Sequence, residues 1–91
     1  MSTRLSNMGY WVYMLRCRDD TLYTGSTTDP EHRLAVHQSG KGAKYTRSRL
    51  PVELVYHEEV PDKSAALKRE IAIKRLQKQK KEALIKQKEN L

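Results

Sequence analysis

Tyr13, Tyr23, Arg33, His37 and Glu70 are the residues of this 91-residue chain whose types and spacing could do chemistry. The stretch YTGSTTDPEHRLAVH, residues 23 to 37, holds three of them around one strand-to-helix turn. Arg33 and His37 are four apart, so on a helix they share a face. An arginine fork can hold a phosphate bidentately. A histidine one turn away can donate to the same group or to a leaving oxygen. The bland alternative is a helix that turns two polar residues to water. Tyr13 and Tyr23 fall on two short strands. A phenol is a poor base at its usual pKa of about 10, so nearby cations or an ion-bound water would have to lower that barrier. Tyrosine is also simply a favoured strand residue.

Glu70 lies on a later helix. At 100° per residue, Ala66, Leu67, Ile71 and Ile73 define an apolar stripe, and Glu70 falls between Ala66 and Leu67 in angle. A carboxylate on a core-facing stripe must find a cation or donors, because desolvating an unpaired charge is costly. Mg2+ meets that need, since it takes hard oxygen ligands and keeps most of its waters. An i,i+4 pair with Lys74 also meets it, worth about 0.2–0.5 kcal/mol. Taken together, the five residues supply a base, two phosphate-binding groups and an ion ligand. That set is what phosphodiester hydrolysis requires when no second metal is present.

Ser39 to Arg49, SGKGAKYTRSR, reads as a basic loop with two glycines. Lys41, Lys44, Arg47 and Arg49 surround Tyr45, a plausible backbone clamp with a stacking platform. The alternative is a mobile surface loop. No GxxxxGK[ST] is present, so it is not a Walker loop.

The elements that must position these residues follow from local signals. Tyr10 to Cys17, YWVYMLRC, reads as a strand, and Arg18-Asp19-Asp20 as a polar turn. Thr21 to Thr24 is a second short strand, completing an antiparallel hairpin. Asp29-Pro30 starts a helix that runs to Gln38 and stops at Ser39-Gly40. Pro51 to Glu58 is a third strand. Pro61-Asp62 starts a second helix running to about Leu76, with Asp62 as its cap. Residues 77–91 form a lysine-coated third helix whose apolar patch is Ala83, Leu84 and Ile85. The expected class is α+β: a three-stranded antiparallel sheet flanked by helices, in the order β-β-α-β-α-α.

The length fits one domain with a small core. There is no phenylalanine, so one tryptophan and five tyrosines supply the aromatic mass. One cysteine, Cys17, excludes an intrachain disulfide and reads as a small core residue. The start MSTRLSNMGY lacks an apolar signal core, and no run of ~18 apolar residues occurs. The expectation is a soluble cytoplasmic protein with no membrane partner and no small-molecule cofactor. The formal charge is +7. Residues 1 to 62 carry eight Lys/Arg and eight Asp/Glu, whereas residues 63 to 91 carry ten Lys/Arg and three Glu. Such asymmetry points to a polyanion partner, nucleic acid before membrane, or to a well-solvated lysine-rich tail.

With these residues in hand, the sequence resembles the GIY-YIG nuclease superfamily, and more closely its small stand-alone, single-domain bacterial (UPF0213-like) group. The first tripeptide of the family matches WVY at Trp11 to Tyr13, and the second matches YTG at Tyr23 to Gly25. The helix arginine falls on Arg33, the histidine on His37 and the metal-binding glutamate on Glu70. The stretch HxxGxGAKYT of the stand-alone group is His37 to Thr46. The resemblance covers about residues 9 to 80, leaving 81–91 as a basic helical extension.

The resemblance implies a mechanism. A water deprotonated by Tyr13 or Tyr23 attacks the phosphorus in line. A single Mg2+ (or Mn2+) on Glu70 stabilises the leaving oxygen, and Arg33 steadies the pentacovalent phosphate. Gly25 is expected to let the backbone turn tightly before the helix. Trp11 occupies the first glycine position of the family pattern. Ser26 stands where excision-repair relatives carry a lysine, so base activation would fall to His37 or the metal.

The first functional expectation is a Mg2+-dependent, structure- or strand-selective endonuclease acting on DNA rather than RNA, in repair, recombination or uptake-related processing. The second is a non-catalytic DNA- or RNA-binding module that keeps the fold. A third is an accessory subunit that binds a partner through Ala83, Leu84 and Ile85.

Overall fold

A computed structural model describes residues 9–89 of the chain. Strand β1, Tyr10–Arg16, pairs antiparallel with β2, Leu22–Thr27, on one side and with β3, Glu53–Val60, on the other. The sheet order is therefore β2-β1-β3, with the most apolar strand in the middle. Residues 12 to 15 of β1 are all buried, because helices cover both faces of the sheet. This explains why YWVYMLR reads as a continuous apolar run and not as an alternating one.

The hairpin turn is closed by Cys17 N–H donating to Thr21 O at 2.8 Å and Asp20 N–H donating to Cys17 O at 2.9 Å. Asp20 adopts a left-handed φ of 69°, which aspartate tolerates better than most residues. Strand β2 runs on to Thr27, three residues beyond the expected Thr24, and Gly25 lies within it. Gly25 is thus an extended residue of an edge strand, not the tight turn its position before the helix suggested.

Helix α1, Pro30–Gln38, has the expected bounds. The Asp29 carboxylate accepts from His32 N–H at 3.1 Å, and Pro30 takes the first helical position. Its end is a Schellman motif: Gly40 N–H donates to His37 O and Lys41 N–H to Val36 O. Gly40 has a φ of 82°, which glycine adopts without cost. The segment expected to be a basic loop contains a short helix, α2, Lys44–Arg47. The Gln38 side-chain amide bonds both the N–H and the C=O of Val52, at 2.9 and 2.8 Å. With its backbone so satisfied, Val52 precedes the ladder, and β3 begins at Glu53 instead of Pro51.

Helix α3, Lys63–Lys74, is capped by the Asp62 carboxylate, which accepts from Ala65 N–H at 2.8 Å. Its buried stripe is Ala66 and Ile73, with Glu70 half-buried between them. Leu67 and Ile71, expected in that stripe, are 48% and 51% exposed. Residues 66, 70 and 73 follow an i, i+4, i+7 line on the face that α3 turns to β2 and β1, with Ala65 packed beside it.

Helix α4, Lys78–Glu89, buries Ile85 and half-buries Leu84, while Ala83 is exposed. The patch expected to be available to a partner is thus largely used within the fold. Glu82 clasps α4 to β1 through two Arg16 hydrogen bonds of 2.7 Å each. Odd and even residues of β1 sort the core into two layers. Val12 and Met14 pack with Tyr56, Ala66, Ile73 and Ile85 under α3 and α4. Tyr13 and Leu15 pack with Cys17, Val52 and Leu34 on the α1 side. No helix of the described residues is long and apolar enough to cross a membrane.

Candidate active site

Tyr13 and Gly25 face each other directly across the β1–β2 ladder. The Tyr13 ring lies over Gly25 so closely that a Cβ there would come within 2.6 Å of the phenol oxygen. The missing side chain therefore makes room for the ring, and that is the role the structure assigns to Gly25. Tyr13 is 1% exposed.

The Tyr13 hydroxyl lies 3.0 Å from Nε2 of His37, which is fully buried on the inward face of α1. The other ring nitrogen, Nδ1, lies 2.8 Å from Oγ1 of Thr46 on α2. Thr46 donates its hydroxyl proton to Ala43 O at 3.0 Å. Its oxygen must then accept from His37 Nδ1–H, and this assigns the tautomer. His37 Nε2 is left with a lone pair, so the Tyr13 hydroxyl donates to it. Burial, and then the Arg33 guanidinium, hold the His37 pKa below its ordinary value, consistent with a neutral ring. Gly42 packs on the other side of this ring, and a Cβ there would run into His37 Nδ1.

Burial, followed by the Tyr23 phenol, pushes the Tyr13 pKa up to about 12. Arg33 opposes that rise, and the Glu70 charge adds to it. Both residues thus act on the phenol. The Tyr23 ring lies 6.4 Å from that of Tyr13 and 5.1 Å from that of His37, centre to centre. Glu70 lies on α3, on the other layer of the core from Tyr13, and its charge acts on the phenol from there. Helix α3 packs against β2, the same edge strand that the Tyr13 ring overlies. The Glu70 side chain is 18% exposed and pairs with Lys74 at 2.7 Å. Of the five residues singled out in the sequence, Tyr13, Tyr23 and His37 have their rings in mutual contact, Arg33 and Glu70 act electrostatically on the Tyr13 phenol, and the i,i+4 pair of Glu70 with Lys74 is present as well.

The basic segment divides. Lys41, Lys44 and Arg47 are exposed. Arg49 is committed to the fold: it pairs with Asp19 at 3.1 Å and donates to Tyr45 O at 2.9 Å. Its guanidinium also sits 3.9 Å over the Tyr45 ring. Tyr45 stacks on Tyr23 with centres 6.2 Å apart. Sequence reasoning gave no role to Thr46 or Gly42. Both lie in the stretch His37 to Thr46, but no periodicity relates them to His37.

Among the described residues no group of three or more His, Cys, Asp and Glu side chains could enclose a metal. One half-buried carboxylate, that of Glu70, does not suit a structural zinc site or a calcium cage. It does suit a hard ion that draws its remaining ligands from water and phosphate oxygens. Glu70 is the residue that would hold it.

The chain matches the GIY-YIG catalytic domain model over residues 9–83. It is 57% identical over 76 residues to a UPF0213 protein of Natronomonas pharaonis, across 84% of this chain and 89% of that one. Solution NMR structures show the same fold. One is a UPF0213 protein from Bacillus halodurans, with a TM-score of 0.58 and 47% identity, covering 89% of this chain and 86% of that one. Another is a protein from E. faecalis, with a TM-score of 0.64 and 39% identity, covering 94% and 92%. The tyrosine hairpin, the helix that carries Arg33 and His37, and the family match describe one domain, and the chain belongs to the GIY-YIG family, in its UPF0213 group.

Proposed function

We propose that the protein is a divalent-metal-dependent endonuclease that hydrolyses phosphodiester bonds in DNA, with structure- or strand-selectivity and a role in repair or recombination. The family supports a nuclease-type function and nucleic-acid binding. The observation that carries the reading is the Tyr13–His37–Thr46 hydrogen-bond chain, with Arg33 and Glu70 acting on the same phenol.

In this reading Tyr13 is the base. A phenol with a pKa near 12 does not ionise at neutral pH, so free phenolate is not the reagent. Instead the phenol passes a proton on. Water gives a proton to the Tyr13 oxygen as the Tyr13 proton moves to His37 Nε2. The resulting hydroxide attacks phosphorus in line, the bond to the leaving oxygen breaks, and that oxygen takes a proton from solvent. Thr46 holds the imidazole in the accepting tautomer. Arg33 binds the non-bridging oxygens as charge develops on them. Glu70 would hold a divalent ion, Mg2+ or Mn2+, which would supply Lewis-acid stabilisation when bound. Lys41, Lys44 and Arg47 bind flanking phosphates.

The test is cleavage of single-stranded, nicked and branched DNA by purified protein with Mg2+ or Mn2+. Activity lost in Glu70→Ala and Arg33→Ala supports the reading; intact DNA on every substrate refutes it.

A second reading is a non-catalytic DNA- or RNA-binding module. The raised Tyr13 pKa and the exposed Lys41, Lys44 and Arg47 favour it. If Glu70→Gln leaves the cellular effect unchanged while Lys44→Glu with Arg47→Glu abolishes it, binding is the function.

A further inference from the structure

Leu67 and Ile71 are the two most exposed large apolar side chains among the described residues. They are four apart on α3, so they stand about 6 Å from each other along the helix axis and form one ridge. With Lys63 set at 0° and roughly 100° per residue, Lys74 falls at about 20°, Leu67 at about 40°, Ile71 at about 80°, Arg75 at about 120° and Lys68 at about 140°. The apolar ridge is therefore flanked by Lys63 and Lys74 on one side and by Lys68 and Arg75 on the other, and all four are exposed. Lys63, Lys68 and Arg75 make no ion pair among the described residues, and Lys74 pairs with Glu70. Glu70 is the one acidic residue of α3, and it lies half-buried at the border of this face. Ile85 and Leu84 are used inside the fold, so the apolar surface left to a partner is on α3 and not on α4.

We infer that this face of α3 docks an acidic amphipathic helix of a protein partner, apolar along its centre and carrying carboxylates on both flanks. The partner's apolar stripe covers Leu67 and Ile71, and its carboxylates meet the two rows of cations. From Lys63 to Arg75 the face runs about 18 Å, the length of a helix of about three turns. Nucleic acid would satisfy the cations but not the ridge. Apolar side chains enter DNA as projecting wedges, whereas about half of each of these side chains is already covered by its own fold. Branched aliphatic groups also present no flat ring on which a base can stack. A lipid surface is held by a broad apolar face, and two half-covered side chains do not make one. The same face of a second copy would set cations against cations. The inference is independent of the nuclease reading, because the face lies on α3, in the other layer of the core from Tyr13.

The test is an NMR titration of the whole protein with a synthetic peptide of about 14 residues, stapled so that it is helical in isolation. The peptide carries leucines at i, i+4 and i+7 and glutamates on both flanks. A DNA hairpin and phosphatidylglycerol vesicles are titrated alongside. The expected result is methyl shifts at Leu67 and Ile71 on adding the peptide. Replacing its leucines by alanine, or its glutamates by glutamine, should weaken binding about tenfold or more. Leu67→Ser with Ile71→Ser should weaken it as much, and so should Lys68→Glu with Arg75→Glu. The charge-reversed protein should regain binding to a peptide whose glutamates on one flank are replaced by lysines. All four side chains lie outside the core, so the fold should survive these changes. DNA cleavage by the Leu67→Ser/Ile71→Ser variant should match the wild type. A peptide that shifts no residue of the face, or that binds as well without its leucines, overturns the inference. DNA or vesicles shifting the Leu67 and Ile71 methyls in place of the peptide, or cleavage lost in the serine variant, overturns it too.

Discussion

The Tyr13 hydroxyl lies 3.0 Å from His37 Nε2, a hydrogen bond between a strand and a helix 24 residues apart in sequence. It makes the phenol the first link of a hydrogen-bond chain that runs through the His37 ring to Thr46. A phenol held near pKa 12 is useful in hydrolysis only if its own proton has somewhere to go.

Removing the hydroxyl tests that link. Tyr13→Phe keeps the ring in the core and should lower the single-turnover cleavage rate roughly 10²–10⁴-fold, the usual range for a lost general base. Tyr23→Phe should cost at least tenfold less. Equal losses would mean that the two phenols act together, contrary to the relay.

Thr46→Val removes the acceptor that orients His37 while keeping its shape. The Nδ1–H is then buried without a partner, which costs about 1–3 kcal/mol. The expected outcome is a lower unfolding midpoint, together with a cleavage rate reduced about tenfold. NMR of the imidazole nitrogens should report a mixed tautomer in place of a single one.

Gly25→Ala places a methyl 2.6 Å from the Tyr13 oxygen. Overpacking of this kind costs about 1–3 kcal/mol. Thermal unfolding should show the loss, and cleavage should fall with it because the phenol must move. Unimpaired cleavage would separate Tyr13 from the chemistry.

Acid should weaken the fold before the carboxylates titrate. Burial, then Arg33, lowers the His37 pKa; burial, then Lys88, lowers that of His57, against an opposing Glu31. A histidine with a depressed folded-state pKa binds its proton more readily when unfolded. Stability is therefore complete above the unfolded value of about 6.5 and declines as pH falls through it. Urea midpoints measured from pH 7.5 to pH 5 should drop in the wild type. The slope should be shallower in the His37→Gln/His57→Gln variant.

Arg16 and Glu82 join β1 to α4 through two bonds, with side chains 25% and 35% exposed. Solvent screening holds the pair to about 1 kcal/mol. A double-mutant cycle with Arg16→Gln and Glu82→Gln should return a coupling of that size, shrinking in high salt.

Much of the secondary structure was legible because its causes are local. Asp29-Pro30 and Asp62 cap helices with their own carboxylates wherever the helices are placed. The apolar run of β1 needed cover on both faces, and it became the central strand. Part of the candidate site was legible as spacing: the likeness of WVY, YTG, Arg33, His37 and Glu70 to the family pattern named Tyr13, Tyr23 and His37, whose rings lie in contact in the fold.

Other features waited on tertiary structure. Periodicity fits several rotations of α3 about its axis; packing along β2 selected the line through Ala66, Glu70 and Ile73 and left Leu67 and Ile71 outside. Gly25 changed meaning once the ladder set it opposite Tyr13, since register decides what a missing side chain makes room for. Thr46 became the partner of His37 only because α2 turns back on α1. Caps and apolar runs act over a few residues and can be read along the chain. Convergence is a property of docking, in which the shapes of distant segments choose one arrangement.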